Sequence, residues 1–400
     1  MPSRYYAFAT AVAVFIGSLV LEFVFRAPWV TWPLIAISGF LSLVGFIDVT
    51  QTRQAIRRNY PILSHFRFFF EYIRPEIRQY FIESDNESSP FSRASRSLVY
   101  QRAKKESDKR PFGTQLDVYE PGYEWINHSV SPAAPSTTDF RLTIGETSKQ
   151  PYSASVFNVS AMSFGALSAN AIRALNQGAK MGGFAHDTGE GSISRYHREM
   201  GGDLIWELGS GYFGCRTADG KFDPVRFAEQ AQDPQVKMVE LKLSQGAKPG
   251  HGGVLPGPKV TAEIAEARGV PVGVDCVSPA KHSVFSNPVE LLEFIAKMRE
   301  LSGGKPAGMK LAIGHPWEFF AIAKAMVKTG LTPDFIVVDG SEGGTGAAPV
   351  EFTDHVGVPL REGLMLVHNT LVGIGVRDRV KLGASGKIVS AFDIAKTLAM

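Results

Sequence analysis

Four charged residues stand out in this chain because of what surrounds them. Lys242 and Lys248 lie six residues apart in Lys242-Leu243-Ser244-Gln245-Gly246-Ala247-Lys248-Pro249-Gly250-His251-Gly252-Gly253, at the end of an apolar run. Lys310 sits inside the otherwise apolar Gly308-Met309-Lys310-Leu311, and Glu190 in the turn Thr188-Gly189-Glu190-Gly191. A lysine taken into apolar surroundings is costly unless something negative meets it. Three lysines brought to one mouth therefore imply an anionic ligand: a dicarboxylate, a phosphate and a reduced flavin anion each suit. Three further motifs are rich in small residues: Ser160–Gly165, Asp339–Ala347 and Gly383–Gly386. Small residues let backbone approach a flat ring, and consecutive amides form a nest for an anion. Taken singly, each motif has a plain structural reading. A glycine-rich loop is usually a turn, and a strand lysine snorkels or pairs with a carboxylate. Their shared place at the ends of successive strands gives them weight together.

The elements that must hold these motifs follow a rhythm of strand, glycine-rich turn and helix from Ser153 onward. Expected strands are Ser155–Ser160, Val236–Leu243, Val272–Asp275, Gly308–Ala312, Phe335–Asp339 and Val380–Leu382. Expected helices are Ala169–Met181, Lys259–Arg268, Pro288–Leu301, Pro316–Lys328, Arg361–Val372 and Ser390–Ala399. Strands joined by crossover helices mean a parallel sheet. At this length the pattern favours a closed (β/α)8 TIM barrel, whose functional residues sit on the loops after each strand.

The rest of the chain bounds the setting. Its 400 residues allow one large domain plus extras. A net charge of +3, gathered near the N-terminus, gives no reason to expect nucleic acid. The two cysteines, Cys215 and Cys276, exclude a disulfide scaffold and cannot hold an iron–sulfur cluster, and no metal site is expected. Two apolar runs open the chain, spanning about residues 5–25 and 29–49, each long enough to cross a bilayer of about 30 Å. Arg26-Ala27-Pro28 is too short a link for anything but a hairpin. Trp29 and Trp32 suit one interface, and Tyr5 and Tyr6 the other. Arg4, Arg53, Arg57, Arg58 and Arg67 place both ends, and the soluble part, in the cytoplasm. A cleaved signal peptide would not be followed by a second span; buried core helices are the other alternative. Residues 51–150 form a connecting region. In it Tyr60–Phe81, mixing aromatics with arginine, reads either as an interfacial helix or as one packed on the barrel. The basic run from Arg93 to Arg110 is a solvated face or lies against anionic lipid. Residues 151–400 carry the barrel.

At the motif residues the chain resembles the FMN-binding synthase domain of glutamate synthase, from about Ser153 to Met400. The matching motifs are Ser160–Gly165, Thr188–Gly191, Gln245–Gly253 with Leu255-Pro256-Gly257, Ser278-Pro279 followed by His282, Gly343–Pro349, and His368-Asn369-Thr370-Leu371-Val372. The N-terminal hairpin resembles the shorter, membrane-associated proteins that carry this domain alone. The resemblance implies FMN at the barrel mouth, touched by the backbone of Ala161, Met162 and Ser163. It implies Lys310 near the pyrimidine edge of the ring, stabilising negative charge there. Gly343, Gly344, Thr345 and Gly386 would approach the ribityl phosphate. Glu190, Lys242, Gln245 and Lys248 would face 2-oxoglutarate or its imine, with Lys310, Glu190 and Lys248 as the catalytic group. The implied reaction is reductive amination of 2-oxoglutarate through 2-iminoglutarate to glutamate, with partner proteins supplying ammonia and electrons.

Four departures from the family pattern qualify this. No amidotransferase domain precedes the barrel and position 2 is Pro2, so the chain is not expected to make ammonia from glutamine alone. His251 and Val254 stand where the family has Glu and Gln. Ala384-Ser385-Gly386 replaces a Thr-Asp-Gly. The chain stops in the helix after the seventh strand, so it is expected to be a partial sequence lacking the last strand, with a [3Fe–4S] cluster only if the natural chain extends further. Two other functions stay open: a membrane FMN dehydrogenase for another amino or hydroxy acid, and a non-catalytic binding barrel at the membrane.

Overall fold

A computed structural model describes residues 3–84, 90–107, 109, 111–135, 137–248, 252–344 and 348–400. The chain divides into two compact units, Met1–Asp117 and Val118–Met400.

The first unit is helical. Helices α1 (Tyr6–Phe25) and α2 (Pro28–Thr50) form an antiparallel hairpin. Arg26, in the left-handed conformation, ends α1, and Pro28 opens α2 at the position where a missing N–H costs nothing. The two helices meet where glycine leaves room: Gly39 lies under Phe15 and Gly45 under Phe8. Both are long and apolar enough to cross a membrane, with mean hydropathy 2.2 over Ser3–Phe25 and 2.0 over Pro28–Thr50. The acid within the first run, Glu22, accepts hydrogen bonds from Thr31 and Trp32 at the start of α2. Short α3 (Ala55–Asn59) follows, then α4 (Leu63–Ile77), which carries into a wider helical turn over Arg78–Ile82, and α5 (Arg93–Ala103). Buried Asp48, near the end of α2, accepts from the Ile62 amide at 3.0 Å and pairs with His65 at 2.9 Å, tying α4 to the hairpin.

The second unit is an α/β fold. It opens with an antiparallel pair, β1 (Arg141–Ile144) on β2 (Tyr152–Ser155). This pair lies outside the main sheet and spans residue 151, where the sequence placed the start of the barrel. Helix α6 (Ala169–Gly182) then leads to β3 (His186–Asp187), and α7 (Arg195–Glu199) to β4 (Leu204–Leu208). Helix α8 (Pro224–Ala231) precedes β5 (Val236–Lys242). A long excursion carries β6 (Val254–Leu255), α9 (Ala262–Arg268), β7 (Cys276–Val277) and α10 (Pro288–Leu301). Then come β8 (Ala307–Leu311), α11 (Pro316–Thr329), β9 (Phe335–Asp339), α12 (Val350–His355), α13 (Leu360–Gly373), β10 (Lys381–Ser385) and α14 (Ala391–Ala399). Five of these helices start where a side chain accepts from their first amides. Ser168, Asp223, Thr261 and Asn287 each accept from the following turn, and Ser390 with Asp393 makes a reciprocal pair.

Six strands form one parallel sheet in the order β10-β9-β8-β5-β4-β3. A single parallel bridge, Val159 to His186, continues it beyond β3. The sheet curls, since the Ser160 hydroxyl, just after that bridge, lies 3.2 Å from the Ser385 hydroxyl at the end of β10. Its core is closely packed: Trp206 stacks on Phe227 with ring centres 4.9 Å apart, and Leu208, Leu241, Met309, Phe319, Ile336 and Val367 are all buried. Burying each such side chain contributes about 1.5–3 kcal/mol.

Two expected strands differ, and two further strands of the main sheet were not expected. The strand expected at Ser155–Ser160 reduces to the bridge at Val159, because Tyr152–Ser155 is taken by β1 instead. The strand expected at Val272–Asp275 falls at Cys276–Val277 and pairs antiparallel with β6 outside the main sheet, so that β5 adjoins β8 directly. Strands β3 and β4 were not anticipated, being short and, in β4, interrupted by a glutamate.

Candidate active site

The parallel register brings the charged residues of neighbouring strands to one level. Lys242 on β5 stands beside Lys310 on β8, and Glu207 on β4 beside Glu240 on β5. Lys310 Nζ lies 3.1 Å from Glu207 Oε2. Lys242 Nζ lies 3.8 Å from Glu207 Oε1 and 3.2 Å from Glu190 Oε2, and donates to the side-chain oxygen of Gln245. One chain of charge thus runs Lys310–Glu207–Lys242–Glu190 and joins three of the four charged residues singled out in the sequence. Lys248 is buried close enough to Glu190 and Lys242 to feel both charges.

This arrangement corrects one expectation. Lys310 and Lys242 do not depend on a ligand for their counter-charge, because Glu207 and Glu190 supply it. Burial alone would lower the pKa of Lys310, but Glu207, Asp339, Glu240 and Asp187 outweigh it and hold the ammonium above its usual range. Burial opposes the charge on Glu190 too, yet Lys242, Lys248 and Arg268 hold it below the usual carboxylate value. Lys248 differs: burial lowers it, with Glu190 opposing, and no described carboxylate comes within ion-pair distance. Of the three lysines it is the most open to an incoming anion.

Glycines shape the space around these groups. Glu190 is bracketed by Gly209 and Gly253; a Cβ on either would come within 2.8 Å of its side chain. A Cβ on Gly246 would lie 1.7 Å from the Gly340 carbonyl, so the lysine loop and the loop after β9 touch backbone to backbone. The Gly246 amide donates to Asp339 Oδ2 at 3.0 Å. The turn holding Glu190 presses on the first motif, where a Cβ on Gly189 would meet the Ser163 amide at 2.8 Å. Met162 is fixed from both sides: its amide donates to the Asp187 carbonyl at 3.1 Å, and its carbonyl accepts from His197 Nε2 at 3.1 Å. Ala161, Met162 and Ser163 are half-buried, as are Gly343 and Gly386, while Gly344 is exposed with open space where a Cβ would stand. The contact of Ser160 with Ser385 brings the first motif beside Gly386, so these loops share one rim. Thr345 and His251 lie outside the described residues. Val254 is an exposed residue of β6.

Sequence reasoning missed a buried layer of acids beneath the lysines. Asp187, Glu207 and Glu240 are all buried, with carboxylate oxygens within 4.8 Å of one another. It also left His282 without a role. The His282 ring donates from Nε2 to the Lys242 carbonyl at 2.8 Å, and its Nδ1 faces the Tyr212 hydroxyl at 3.2 Å. His282 therefore holds the backbone that presents Lys242.

Residues 125–400 match the family described as a conserved region in glutamate synthase. The chain belongs to the glutamate synthase family. It is similar to the glutamate synthase large subunit-like protein YerD of Bacillus subtilis, 37% identical over 395 residues, which cover 88% of this chain and 75% of that protein. It is also similar to the archaeal-type glutamate synthase [NADPH] of Thermotoga maritima, 39% identical over 241 residues, 60% of this chain and 44% of the relative. The archaeal glutamate synthase [NADPH] of Archaeoglobus fulgidus is 37% identical over 243 residues, with the same two shares. The matched part thus spans less than half the length of these archaeal-type relatives.

Proposed function

We propose that the chain is an FMN-dependent oxidoreductase of the glutamate synthase type, which aminates 2-oxoglutarate reductively through 2-iminoglutarate. As a member of that family it is an oxidoreductase acting on the CH–NH2 group of a donor. The parallel sheet, with Val159 at one end and β10 at the other, is read as seven staves of a (β/α)8 barrel. Its charged residues lie at the carboxyl ends of the strands, where such barrels carry their sites.

The observation that carries the reading is the linked set Lys310–Glu207–Lys242–Glu190, with buried Lys248 beside it, on a rim of close-packed glycine loops. The residues fit FMN. Backbone at Ala161–Ser163 faces the rim, Gly344 leaves open space for a phosphate beside Gly343, and Lys310 offers a held ammonium to one ring edge. Bound there, FMN supplies hydride transfer to the imine carbon. Lys248 and Lys242 hold the two substrate carboxylates, and Gln245 and Glu190 fix Lys242 in place. Orientation of the reacting atoms is the main contribution of these residues. Partner proteins supply ammonia and electrons.

The helical hairpin is read as a membrane anchor with the catalytic unit on the cytoplasmic side. Its apolar side chains are mostly exposed, Trp29 at 93%, and its one mid-hairpin acid is satisfied internally. Resistance of the full chain to alkaline carbonate extraction supports this; release into the supernatant refutes it.

The function itself is tested by anaerobic titration of the reduced, FMN-loaded protein with 2-oxoglutarate plus ammonia. Reoxidation of the flavin, with glutamate as product, is expected. No reoxidation would turn the reading toward a membrane dehydrogenase for another amino or hydroxy acid. Val254, an apolar residue where the resembled family has Gln, favours that second reading.

A further inference from the structure

The buried acid layer raises a question that the ligand reading leaves unanswered. Glu207 and Glu240 occupy matching positions on neighbouring parallel strands, and Asp187 on β3 completes the group. None of the three is more than 5% exposed. The charged groups that face them are Lys310 from β8, Asp339 from β9 and Lys242 from the end of β5. Lys310 is engaged with Glu207 at 3.1 Å, so one of the three acids already has its counter-charge. Among the described residues, neither carboxylate oxygen of Glu240 has a hydrogen-bond donor. A buried charge without a donor or counter-ion is strongly unfavourable. One proton resolves both faults, since it removes a charge and supplies a donor.

We infer that Glu240 is protonated in the folded protein and directs its O–H toward Asp187, which leaves Glu207 as the immediate counter-ion of Lys310. Glu240 is thus a positioning residue that acts through the lysine. With Glu240 neutral, one rival to Glu207 for the Lys310 ammonium is removed, and that ammonium keeps its aim at Glu207. The electrostatics agree in direction: burial, then the neighbouring Asp187, raises Glu240 well above the carboxylate range, and burial with Glu207 pushes Asp187 up to about 7. The inference stands on the buried layer and needs no bound cofactor.

Infrared spectroscopy of the purified full-length protein in detergent, without added FMN, tests it. A protonated buried carboxyl gives a C=O stretching band, separate from ionised carboxylates, that shifts in D2O. The wild-type protein should show this band at a pH above about 7, where Asp187 is ionised; Glu240→Gln should abolish it there, and Glu207→Gln should keep it. Absence of the band in the wild type, or its survival in Glu240→Gln, overturns the inference. Should Glu240→Gln fail to fold, Asp187→Asn serves instead. Changing the acceptor should move the band in frequency, and an unmoved band would overturn the proposal. Flavin content bears on none of these outcomes, so the proposed function can fail while this inference stands.

Discussion

The two units of this chain treat polarity in opposite ways. In residues 3–84 the apolar side chains face outward: Phe23 is 87% and Phe81 84% exposed. The acids there are few, and each of the two in the hairpin is answered by a donor nearby: Glu22 by Thr31 and Trp32, Asp48 by Ile62 and His65. In the second unit the apolar side chains are inside, and with them lie Asp187, Glu207, Glu240, Lys248 and Lys310. On the proposed reading of its hairpin as a membrane anchor, the first unit has surroundings that accept apolar surface and offer nothing to a charge. The second makes its own low-dielectric interior and then places charges in it. Burying charge at that cost points to chemistry, because packing alone is served as well by apolar residues.

The hardest test of that contrast is Lys310→Met. Methionine fills similar volume but leaves Glu207 buried without its nearest counter-ion, and breaking such a pair costs about 3–5 kcal/mol. We expect a matching fall in the denaturant midpoint of the second unit, and loss of flavin retention on gel filtration. A change below about 1 kcal/mol would mean that the buried pair is no more valuable than a surface one.

The next effect is a dome in stability against pH. Burial holds His186 down at about 3, with His197 adding to the shift, and holds His197 at about 4. These folded values lie below the ordinary 6.5, so the stability from keeping both rings neutral is complete above about 6.5 and is lost as pH falls toward 3–4. Asp187 works the other way. Its folded value of about 7 exceeds its ordinary 3.8, so its contribution is complete below about 3.8 and is lost as pH rises through about 7. Melting temperature across pH should therefore fall on both sides of a maximum in the mildly acid range. His197→Gln should flatten the acid limb and leave the alkaline limb. A limb unchanged by that substitution would assign acid unfolding elsewhere.

The same contrast explains what the sequence made legible. Lys310 and Lys242 were readable because a lysine in an apolar strand breaks the local pattern. Glu207 in Trp206-Glu207-Leu208 and Glu240 in Val239-Glu240-Leu241 break it equally, and that signal was there to be used. What the sequence could not supply is register. Only the pairing of β4 with β5, and β5 with β8, puts Glu207 beside Glu240 and Lys242 beside Lys310. Without register the lysines looked short of negative charge and demanded a ligand. The six helices expected from Ala169 onward were legible to within a residue or a few, because caps and prolines mark their ends locally, while the shorter α7, α8 and α12 were not anticipated. The misplaced strands, at Ser155–Ser160 and Val272–Asp275, were both short runs whose partners are fixed by distant chain.

For the first unit, Ile16→Lys probes the surrounding directly. Ile16 is 55% exposed midway along α1. If lipid covers it, a lysine there costs about 2.5–3.5 kcal/mol, and less of the protein should sediment with membranes after carbonate washing. If water covers it, fractionation should not change.

The smallest effects come from a matched pair of ion pairs. Arg67–Glu71 on α4 and Arg299–Asp334 in the second unit have the same 2.8 Å separation. The first is open, with side chains 61% and 53% exposed; in the second the values are 26% and 8%. Arg299 also donates to the Thr332 carbonyl at 3.0 Å, and Asp334 accepts from the Ala307 amide at 2.8 Å, so that pair fixes the entry of β8. Arg299→Ala should cost about 1.5–3 kcal/mol, the range for hydrogen bonds to charged groups. Arg67→Ala should cost about 0.3–0.5 kcal/mol, because water replaces the exposed guanidinium at little loss. Denaturant unfolding of both variants in the same detergent measures the difference. Equal losses would show that distance, and not surroundings, sets the value of an ion pair in this chain, and would remove the physical basis for contrasting its two units.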